Sequence, residues 1–474
     1  MVHPVPRPIR KVFSQRFGPI GHERRRVLPD KAHASPAAGR PLGLLGASRQ
    51  SSDTAGPTRP PDSAPHGGRA EGTTASSSLP HHGDLRSVSD DVAGAVGRVL
   101  ERLLGDLTER AAALDPVFAH DLAERVARFT LDGGKRTRSQ FLWWALVACG
   151  GREEAADPAL RIGAALELIQ TCALVHDDVM DGSAVRRGLP ALHADVEAQY
   201  SGAGTGPSRG RFGEAAAILA GDLALAWADD VVADTRLSAD TAFRVRSLWS
   251  AMRMEMVAGQ YLDVQGQATS SLSPARAIRA ACLKTALYSV ERPLALGAAL
   301  AGADATTAEA LCSAGRCVGI AFQLRDDLQG VFGAAPDIGK PTGDDIRSGK
   351  PTYLFAVARA KAETAGDRGA ILVLDDSFGR AGLSESDLAR VRDVLVSTGA
   401  RETVETKIDR LVAQGMRHLD GAALEPDGRH HLRRLLRAAA APRPARVRRP
   451  GTAGAPDGTP EDLLICAGVG KATR

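Results

Sequence analysis

Apolar residues recur at intervals of three and four positions through the central part of the chain. The run Val92, Val96, Val99 and Leu103 is one example, and this spacing places apolar side chains on one face of an α-helix. Comparable runs follow one another from about residue 87 to about residue 440, separated by the Gly and Pro residues that interrupt helices. No segment shows a clear alternation with the period of two that is typical of a β-strand. The pattern therefore predicts a single all-α domain over residues 87–440.

The two ends of the chain differ from this central part in composition. Twelve of the 27 prolines lie within residues 1–80, among Ser, Gly and Arg clusters that cannot bury enough apolar surface to offset the entropy of ordering. Residues 441–474 have a similar Pro- and Arg-rich composition. We therefore predict disordered basic extensions at residues 1–86 and 441–474.

The sequence carries no signal for membrane insertion or secretion. No stretch approaches the roughly 20 uninterrupted apolar residues that cross a bilayer. Arg7, Arg10 and Lys11 precede no apolar segment of the kind found in secretory signals. A cytoplasmic protein without a transmembrane segment is predicted.

Charge is distributed unevenly along the chain. The net charge of the whole chain is +4, and residues 1–86 and 429–474 each carry +7, so the segment between them carries −10. A nucleic-acid-binding domain would need a basic surface on its folded part, and this distribution excludes nucleic acid as the expected partner. An acidic domain that handles anionic substrates needs metal ions or focused basic side chains.

The most informative acidic residues are Asp177, Asp178 and Asp181, which follow the apolar run ALELIQTCALV. On a helix, residues three and four positions apart lie on the same face, so the three carboxylates are expected to converge. Clustered carboxylates repel one another unless a cation lies among them. Hard oxygen ligands with room for water suit magnesium that bridges to substrate phosphates. The sequence therefore predicts a magnesium site at the end of this helix.

A second acidic pair, Asp326 and Asp327, also follows an apolar run. The position one helical turn later is Gly330, so this pair offers fewer ligands than the first motif does.

Basic residues are concentrated in glycine-flanked turns near these acidic residues. The segment DGGKRTR places Lys135, Arg136 and Arg138 after Gly133 and Gly134 and just before a predicted helix, whose N-terminus adds a positive field. Guanidinium groups bind phosphate oxygens in pairs, whereas an ammonium group acts as a point charge. The number of such groups predicts two polyphosphate sites. The other basic groups are Arg186 and Arg187, Lys284 beside Thr285, Lys340, and Lys350.

In this order the motifs resemble the trans-isoprenyl diphosphate synthase, or polyprenyl synthetase, family, and are most similar to bacterial geranylgeranyl diphosphate synthases. The resemblance covers roughly residues 90–430 and rests on the ordered set GGKRTR, DDVMDGSAVRRG, AGD, KT, FQLRDD and GK…GK. A single Asp-rich motif would be weak evidence, because class I terpene cyclases share it. The resemblance implies an antiparallel all-helical bundle of the isoprenoid synthase type around a deep central cavity, usually in a homodimer.

The resemblance also implies a reaction. In the family, about three Mg²⁺ ions held by the two Asp motifs bind the diphosphate of an allylic substrate and help it to leave. The double bond of isopentenyl diphosphate then attacks the allylic cation, and a proton is lost. The allylic substrates have 5, 10 or 15 carbons.

Residue roles follow from the same resemblance. The metal-binding and catalytic residues would be Asp177, Asp178, Asp181, Asp326 and Asp327, with Lys284 also catalytic. Contacts with the allylic diphosphate would come from Arg186, Lys284, Thr285, Gln323, Lys340 and Lys350. Contacts with isopentenyl diphosphate would come from Gly134, Lys135, Arg138, Gln170 and Arg187.

The chain departs from the family pattern at two positions. Gln170 stands where many members have a histidine that contacts isopentenyl diphosphate, and its amide can still donate a hydrogen bond. Gly330 stands where many members have a third aspartate in the second motif. That motif would then depend on Asp326, Asp327 and water.

Product length in the family depends on the residues four and five positions before the first aspartate, where a bulky aromatic residue stops elongation. Here these positions are Ala173 and Cys172, both small. A product of 10 or 15 carbons is therefore disfavoured, and geranylgeranyl diphosphate (C20) is expected.

Two alternatives remain at this point. One is a synthase that makes longer chains, of 30 carbons or more. The other is a non-catalytic subunit that regulates a partner synthase, although such subunits usually lose an Asp motif and the first motif is intact here. A class I cyclase is disfavoured, because it would not need the isopentenyl diphosphate site that the GGKRTR segment implies.

Overall fold

The computed structural model describes residues 85–202, 211–333 and 342–441. Within these ranges the chain consists of helices and one short β-hairpin, which confirms the all-α class. The extensions predicted at residues 1–86 and 441–474 lie almost wholly outside the described residues, and Lys340 lies outside them as well.

The first half of the described chain contains eight α-helices, a hairpin and a π-helical segment. The α-helices are α1 (Leu85–Asp90), α2 (Val92–Leu114), α3 (Pro116–Phe118), α4 (Glu124–Leu131), α5 (Thr137–Ala148), α6 (Ala156–Met180), α7 (Leu192–Tyr200) and α8 (Phe212–Ala233). A π-helical segment, Ala119–Ala123, joins α3 to α4, and a single 3-10 turn, Glu153–Ala155, leads into α6. The hairpin strands are β1 (Val185–Arg186) and β2 (Leu189–Pro190), which pair antiparallel.

The second half continues with α9 (Ala239–Ala268), α10 (Pro274–Ala281), a second π-helical segment (Cys282–Glu291), α11 (Arg292–Ala301) and α12 (Ala305–Phe332). After the gap in the description come α13 (Asp344–Arg347), α14 (Tyr353–Ala365), α15 (Arg368–Ser377), α16 (Glu385–Ser397), α17 (Ala400–Asp420) and α18 (Pro426–Ala440).

Several helices begin at a side chain that caps them. Asp91 Oδ1 accepts a hydrogen bond from the Gly94 N–H at 2.9 Å at the start of α2. Asp304 Oδ1 accepts from the N–H groups of Thr306 and Thr307, at 2.8 and 3.0 Å, at the start of α12. Such caps satisfy backbone donors that have no partner inside the helix and typically contribute about 1 kcal/mol each.

Helix α6 is central to the core, and its burial explains its composition. It packs against α2, α5 and α8, and Ile162, Leu166, Leu168 and Ile169 are all fully buried. By length and composition alone, the segment Glu153–Met180 could cross a membrane, but 72% of its most apolar 18-residue window is buried inside the protein. Within the described ranges no other helix passes that test.

The second π-helical segment lies between two long helices. Small residues allow the close approach: a Cβ at Gly259 on α9 would lie 2.3 Å from the Lys284 backbone nitrogen, and a Cβ at Gly319 on α12 would lie 2.6 Å from Ala286 Cα. Both distances are far below van der Waals contact, so glycine is required at both positions. The segment carries Lys284 and Thr285, and π-helical turns occur frequently at functional sites.

Candidate functional site

The first Asp-rich motif lies at the C-terminal end of α6. Asp177 and Asp178 belong to the last turn, and Asp181 ends the helix with its N–H bonded to the Asp177 carbonyl at 2.8 Å. The chain then turns at Gly182, whose φ of +62° lies in the left-handed region, and enters the β1–β2 hairpin. The hairpin brings Arg186 back to the motif, where its Nε donates to Asp178 Oδ1 at 2.8 Å.

Two lysines bind the other two carboxylates of this motif. Lys284 Nζ donates to Asp177 Oδ1 and to Asp263 Oδ2, both at 2.8 Å. Lys350 Nζ lies 3.5 Å from Asp181 Oδ2 and 3.4 Å from Asp263 Oδ2. The fold thus brings α6, α9, the π-helical segment and the loop before α14 together at one cluster of charges.

Asp263 and Gln260 belong to this cluster, although neither is among the residues predicted from the sequence. Both lie on α9, three positions apart and so on one face, and Gln260 Nε2 donates to Asp177 Oδ1 at 3.1 Å. Asp263 is only 8% exposed, which is rare for an aspartate unless it has charged partners. The segment GQYLD gives only a weak indication of a site: its Gln and Asp lie on one helical face, as they would if both contacted the same partner.

The charges of the cluster stabilise one another. Burial alone would raise the pKa of Asp177, but Lys284, Lys350 and Arg186 outweigh it and hold this pKa well below its usual range. Burial likewise opposes the lowered pKa of Asp263, which Lys350 and Lys284 produce. Asp177 and Asp263 are therefore ionised, as ligands for cations must be.

The second Asp-rich motif lies on α12 and faces the KT pair. Thr285 Oγ1 donates to Gln323 Oε1 at 2.6 Å, and Gln323 Nε2 donates to Asp327 Oδ1 at 2.8 Å. Asp327 is buried, and burial, followed by the charge of Asp345, raises its pKa to about 8. Its neighbour Asp326 is exposed. The two carboxylates of the pair therefore occupy different environments: that of Asp327 is buried and that of Asp326 is exposed to solvent.

The glycine-flanked basic turn leads into α5 and contacts the π-helical segment that carries Lys284 and Thr285. Arg138 lies over the ring of Tyr288, with Cζ 4.5 Å from the ring centroid, and its Nη2 donates to Ser289 Oγ at 2.7 Å. Lys135 and Gly134 are exposed. The turn thus holds one guanidinium firmly against the π-helical segment and leaves the ammonium of Lys135 in solvent.

The remaining arginines of this region have different roles. Arg136 is buried and its Nη1 donates to Glu167 Oε2 at 3.1 Å, so it stabilises the turn internally. Arg187 Nη1 donates to the carbonyls of Phe129 and Asp132, both at 3.2 Å. Arg187 has a φ of 56°, an uncommon conformation for a residue other than glycine. The hairpin therefore presents Arg186 and Arg187 to different neighbours.

Gln170 is held by a tyrosine. Tyr288 donates its hydroxyl hydrogen to Gln170 Oε1 at 2.5 Å. Burial raises the pKa of Tyr288, despite the opposing charge of Arg138, so the phenol remains a donor. With its oxygen occupied, the Gln170 amide can offer its two N–H hydrogens to a ligand.

Cys172 and Ala173 lie one turn before the first aspartate. Cys172 is buried, whereas Ala173 is half-buried. Burial raises the pKa of the Cys172 thiol to about 12, so it is a neutral, small apolar side chain. His176 Nε2 lies 3.0 Å from the Ile218 carbonyl oxygen on α8, away from the acidic cluster.

The donor set fits a divalent ion that shares its ligands with a substrate. Asp181 Oδ1 is buried and has no hydrogen-bond partner among the described residues, and carboxylate oxygens are what Mg²⁺ prefers. Within residues 85–202, 211–333 and 342–441, no three His, Cys, Asp or Glu side chains are grouped closely enough to hold a metal by themselves. Such an ion would take its other ligands from water and phosphate, as Mg²⁺ usually does.

Comparison with known proteins agrees with these features. Residues 120–380 match a family model described as Polyprenyl synthetase. The chain is similar to the geranylgeranyl pyrophosphate synthase of Corynebacterium glutamicum, solved with isoprenyl diphosphate and magnesium. The two are 36% identical with a TM-score of 0.69, over 73% of this chain and 99% of that one.

Two further relatives are named for other products. The chain is 33% identical over 278 residues to the geranylfarnesyl diphosphate synthase of Aeropyrum pernix, and the aligned region covers 58% of this chain and 79% of the relative. It is 30% identical over 352 residues to the (2E,6E)-farnesyl diphosphate synthase of Mycobacterium tuberculosis, and the aligned region covers 73% of this chain and 92% of the relative. The relatives thus share one reaction type but differ in product length.

Proposed function

The chain belongs to the polyprenyl synthetase family and is a prenyltransferase, and from this premise we propose that it joins isopentenyl diphosphate to C5, C10 and C15 allylic diphosphates. The proposed product is geranylgeranyl diphosphate, made with divalent magnesium. The observation that carries the proposal is the charge cluster at the end of α6, where Lys284 and Lys350 bind Asp177, Asp181 and Asp263.

The residues of this cluster would receive the allylic diphosphate. Arg186, Lys284 and Lys350 supply positive charge at a partly buried site, where charge on a departing diphosphate is stabilised more strongly than in water. Magnesium held by Asp177, Asp181 and the second Asp-rich motif would supply further positive charge to the same group when bound. Thr285 and Gln323 form a hydrogen-bonded pair at 2.6 Å that can reorient toward a phosphate oxygen. We place Lys340 in this set by resemblance alone.

Isopentenyl diphosphate would bind at the basic turn. Arg138 is fixed by Tyr288 and Ser289, and its Nε is buried with no hydrogen-bond partner among the described residues. Lys135 adds exposed charge in the same turn, and the exposed Arg187 is brought to that region by its hydrogen bonds to the Phe129 and Asp132 carbonyls. Because Gln170 lies on α6 two turns before Asp177, this site and the allylic site would be neighbours along one helix.

A homodimer is part of the proposal. Helices α8 and α9 expose more large apolar side chains than a solvent-facing surface usually carries. Among them are Ile218, Leu219, Phe243, Met254, Val257 and Tyr261, each at least 47% exposed. A second copy of the chain packed on this surface would bury them.

A product assay tests the proposed function. Purified protein is incubated with magnesium, isopentenyl diphosphate and each allylic primer in turn, and the dephosphorylated products are sized by mass spectrometry. A single C20 product is expected. If the products have 30 carbons or more, the proposed reaction stands but the proposed C20 product is wrong. Failure to form any product from any primer would overturn the proposal in favour of a non-catalytic subunit.

Replacing Tyr288 with phenylalanine is expected to weaken binding of isopentenyl diphosphate specifically. The change removes the hydroxyl that fixes the Gln170 amide, and a net hydrogen bond is worth about 0.5–1.5 kcal/mol. We expect KM for isopentenyl diphosphate to rise about 3- to 10-fold and KM for the allylic primer to stay within about twofold. Both are measured by steady-state kinetics.

The control for this prediction is Gln170→Ala. If Tyr288 acts through Gln170, adding Tyr288→Phe to Gln170→Ala should produce little further change. Additive effects of the two substitutions, or equal increases in both KM values, would contradict the assignment.

A further inference from the structure

The second Asp-rich motif lacks its third aspartate, and another part of the chain occupies that place. A Cβ atom at Gly330 would lie 3.2 Å from Asp345 Oδ2. This is closer than ordinary van der Waals contact, so the space that a side chain at position 330 would enter already holds a carboxylate. Asp345 lies on α13, 15 positions further along the chain.

Backbone hydrogen bonds hold α13 at the end of α12. The Gly343 N–H donates to the Gly330 carbonyl at 2.8 Å, so residue 330 itself anchors the incoming segment. Gly343 has a φ of +82°, which turns the chain into α13, and Ile346 is buried there at 3% exposure. The Lys350 N–H donates to the Asp345 carbonyl at 2.8 Å, which ties the same residue to the lysine of the charge cluster.

Asp345 lies close to both Asp-rich motifs. Its carboxylate is beside position 330 on α12, one helical turn after Asp327. It is also tied through its carbonyl to Lys350, whose Nζ lies 3.5 Å from Asp181 Oδ2 of the first motif. Asp345 is therefore next to the second motif and next to the lysine that contacts the first.

We propose that Asp345 supplies the third carboxylate of the second Asp-rich motif, in place of residue 330, and helps to hold a divalent metal together with a diphosphate. This inference rests on the proposed function, because it assigns a residue to the same metal-dependent site. It explains how Gly330 can occur in a motif that otherwise needs more ligands. The carboxylate comes from a neighbouring short helix instead of from the next turn of α12.

The test measures metal binding as well as turnover. Isothermal titration calorimetry would follow Mg²⁺ binding in the presence of inorganic pyrophosphate for the wild type, Asp345→Asn and the control Asp344→Asn. Asp344 is adjacent on α13 and has the same charge, but a Cβ at position 330 would meet Asp345 and not Asp344. Loss of a group that supports a metal typically weakens binding 10- to 100-fold. We expect at least a tenfold loss for Asp345→Asn and less than about twofold for Asp344→Asn.

A second pair of variants separates a metal-directed role from a structural one. Asp345→Ala frees the space beside position 330, and Gly330→Asp in that background returns a carboxylate to the site from α12. We expect the double variant to recover most of the Mg²⁺ affinity that Asp345→Ala loses. Asp345→Asn keeps the shape of the side chain, so its unfolding temperature without Mg²⁺ should stay close to that of the control Asp344→Asn.

The outcomes separate this inference from the proposed function. Wild-type Mg²⁺ affinity in Asp345→Asn, or no recovery in the double variant, would overturn the role of Asp345. If the protein binds Mg²⁺ and pyrophosphate through Asp345 but forms no prenyl product, this inference stands and the proposed function is wrong.

Discussion

Replacing Asp177 with asparagine is expected to lower kcat/KM roughly a thousandfold, the scale of losing one key electrostatic group at a reacting centre. The side chain keeps its shape but loses its charge. Lys284, Arg186 and Gln260 all contact this carboxylate, so the substitution removes the partner of two cations as well as a proposed metal ligand. Steady-state assays with labelled isopentenyl diphosphate measure the loss.

The matched control for this variant is Asp230→Asn on α8. Asp230 is exposed and lies outside the charge cluster. Interactions between exposed charges contribute little, so activity should remain within about twofold of the wild type. A loss of less than tenfold for Asp177→Asn, or an equal loss in both variants, would remove Asp177 from the centre of the reaction.

Replacing Cys172 or Ala173 with phenylalanine is expected to shorten the product, from C20 to C15 or C10. Both residues lie about one turn before Asp177 on α6, and in our proposal, which follows the family resemblance, a phenyl ring at either position would block the growing chain. The effect is a change in product identity, which mass spectrometry of the dephosphorylated products detects directly.

Overpacking is the main risk in this experiment, because Cys172 is buried and insertion of extra atoms into a core typically costs about 1–3 kcal/mol. Ala173 is half-buried and provides the second variant. Cys172→Ser keeps the side chain small and should leave product length unchanged. If both phenylalanine variants make the wild-type product, the two positions do not limit chain growth.

The fold class and the position of the first Asp-rich motif at the end of a helix could be predicted because both depend on local spacing. Apolar residues at intervals of three and four specify helices, and an Asp pair at the end of an apolar run is conspicuous on any helix. The π-helical segment Cys282–Glu291 could not be predicted in this way. A π-helical hydrogen bond spans one more residue than an α-helical one, and over ten residues this leaves no clear mark on the apolar pattern. The close approach at Gly259 and Gly319 allows the segment to fit between its neighbours.

Residues whose importance depends on tertiary contact were missed or misjudged. In the sequence, Asp263 and Gln260 are not distinguished from other polar residues of α9. Their importance is visible only in the structure, where Asp263 contacts Lys284 and Gln260 contacts Asp177. Arg136 stands in the basic turn beside Lys135 and Arg138 but is neutralised internally by Glu167. Local sequence gives the types of charge present, whereas the packing decides which charges meet each other and which face a ligand.

The two lysines of the charge cluster have a thermodynamic consequence. Lys284 and Lys350 contact oxygens of Asp177, Asp181 and Asp263 that are also suitable ligands for a divalent ion. A diphosphate that draws these ammonium groups to itself releases the carboxylates, so binding of the anion raises the affinity for the metal. Linkage requires the metal to raise the affinity for the anion by the same factor. The free enzyme is therefore expected to bind magnesium and diphosphate weakly as separate ligands and cooperatively as a pair.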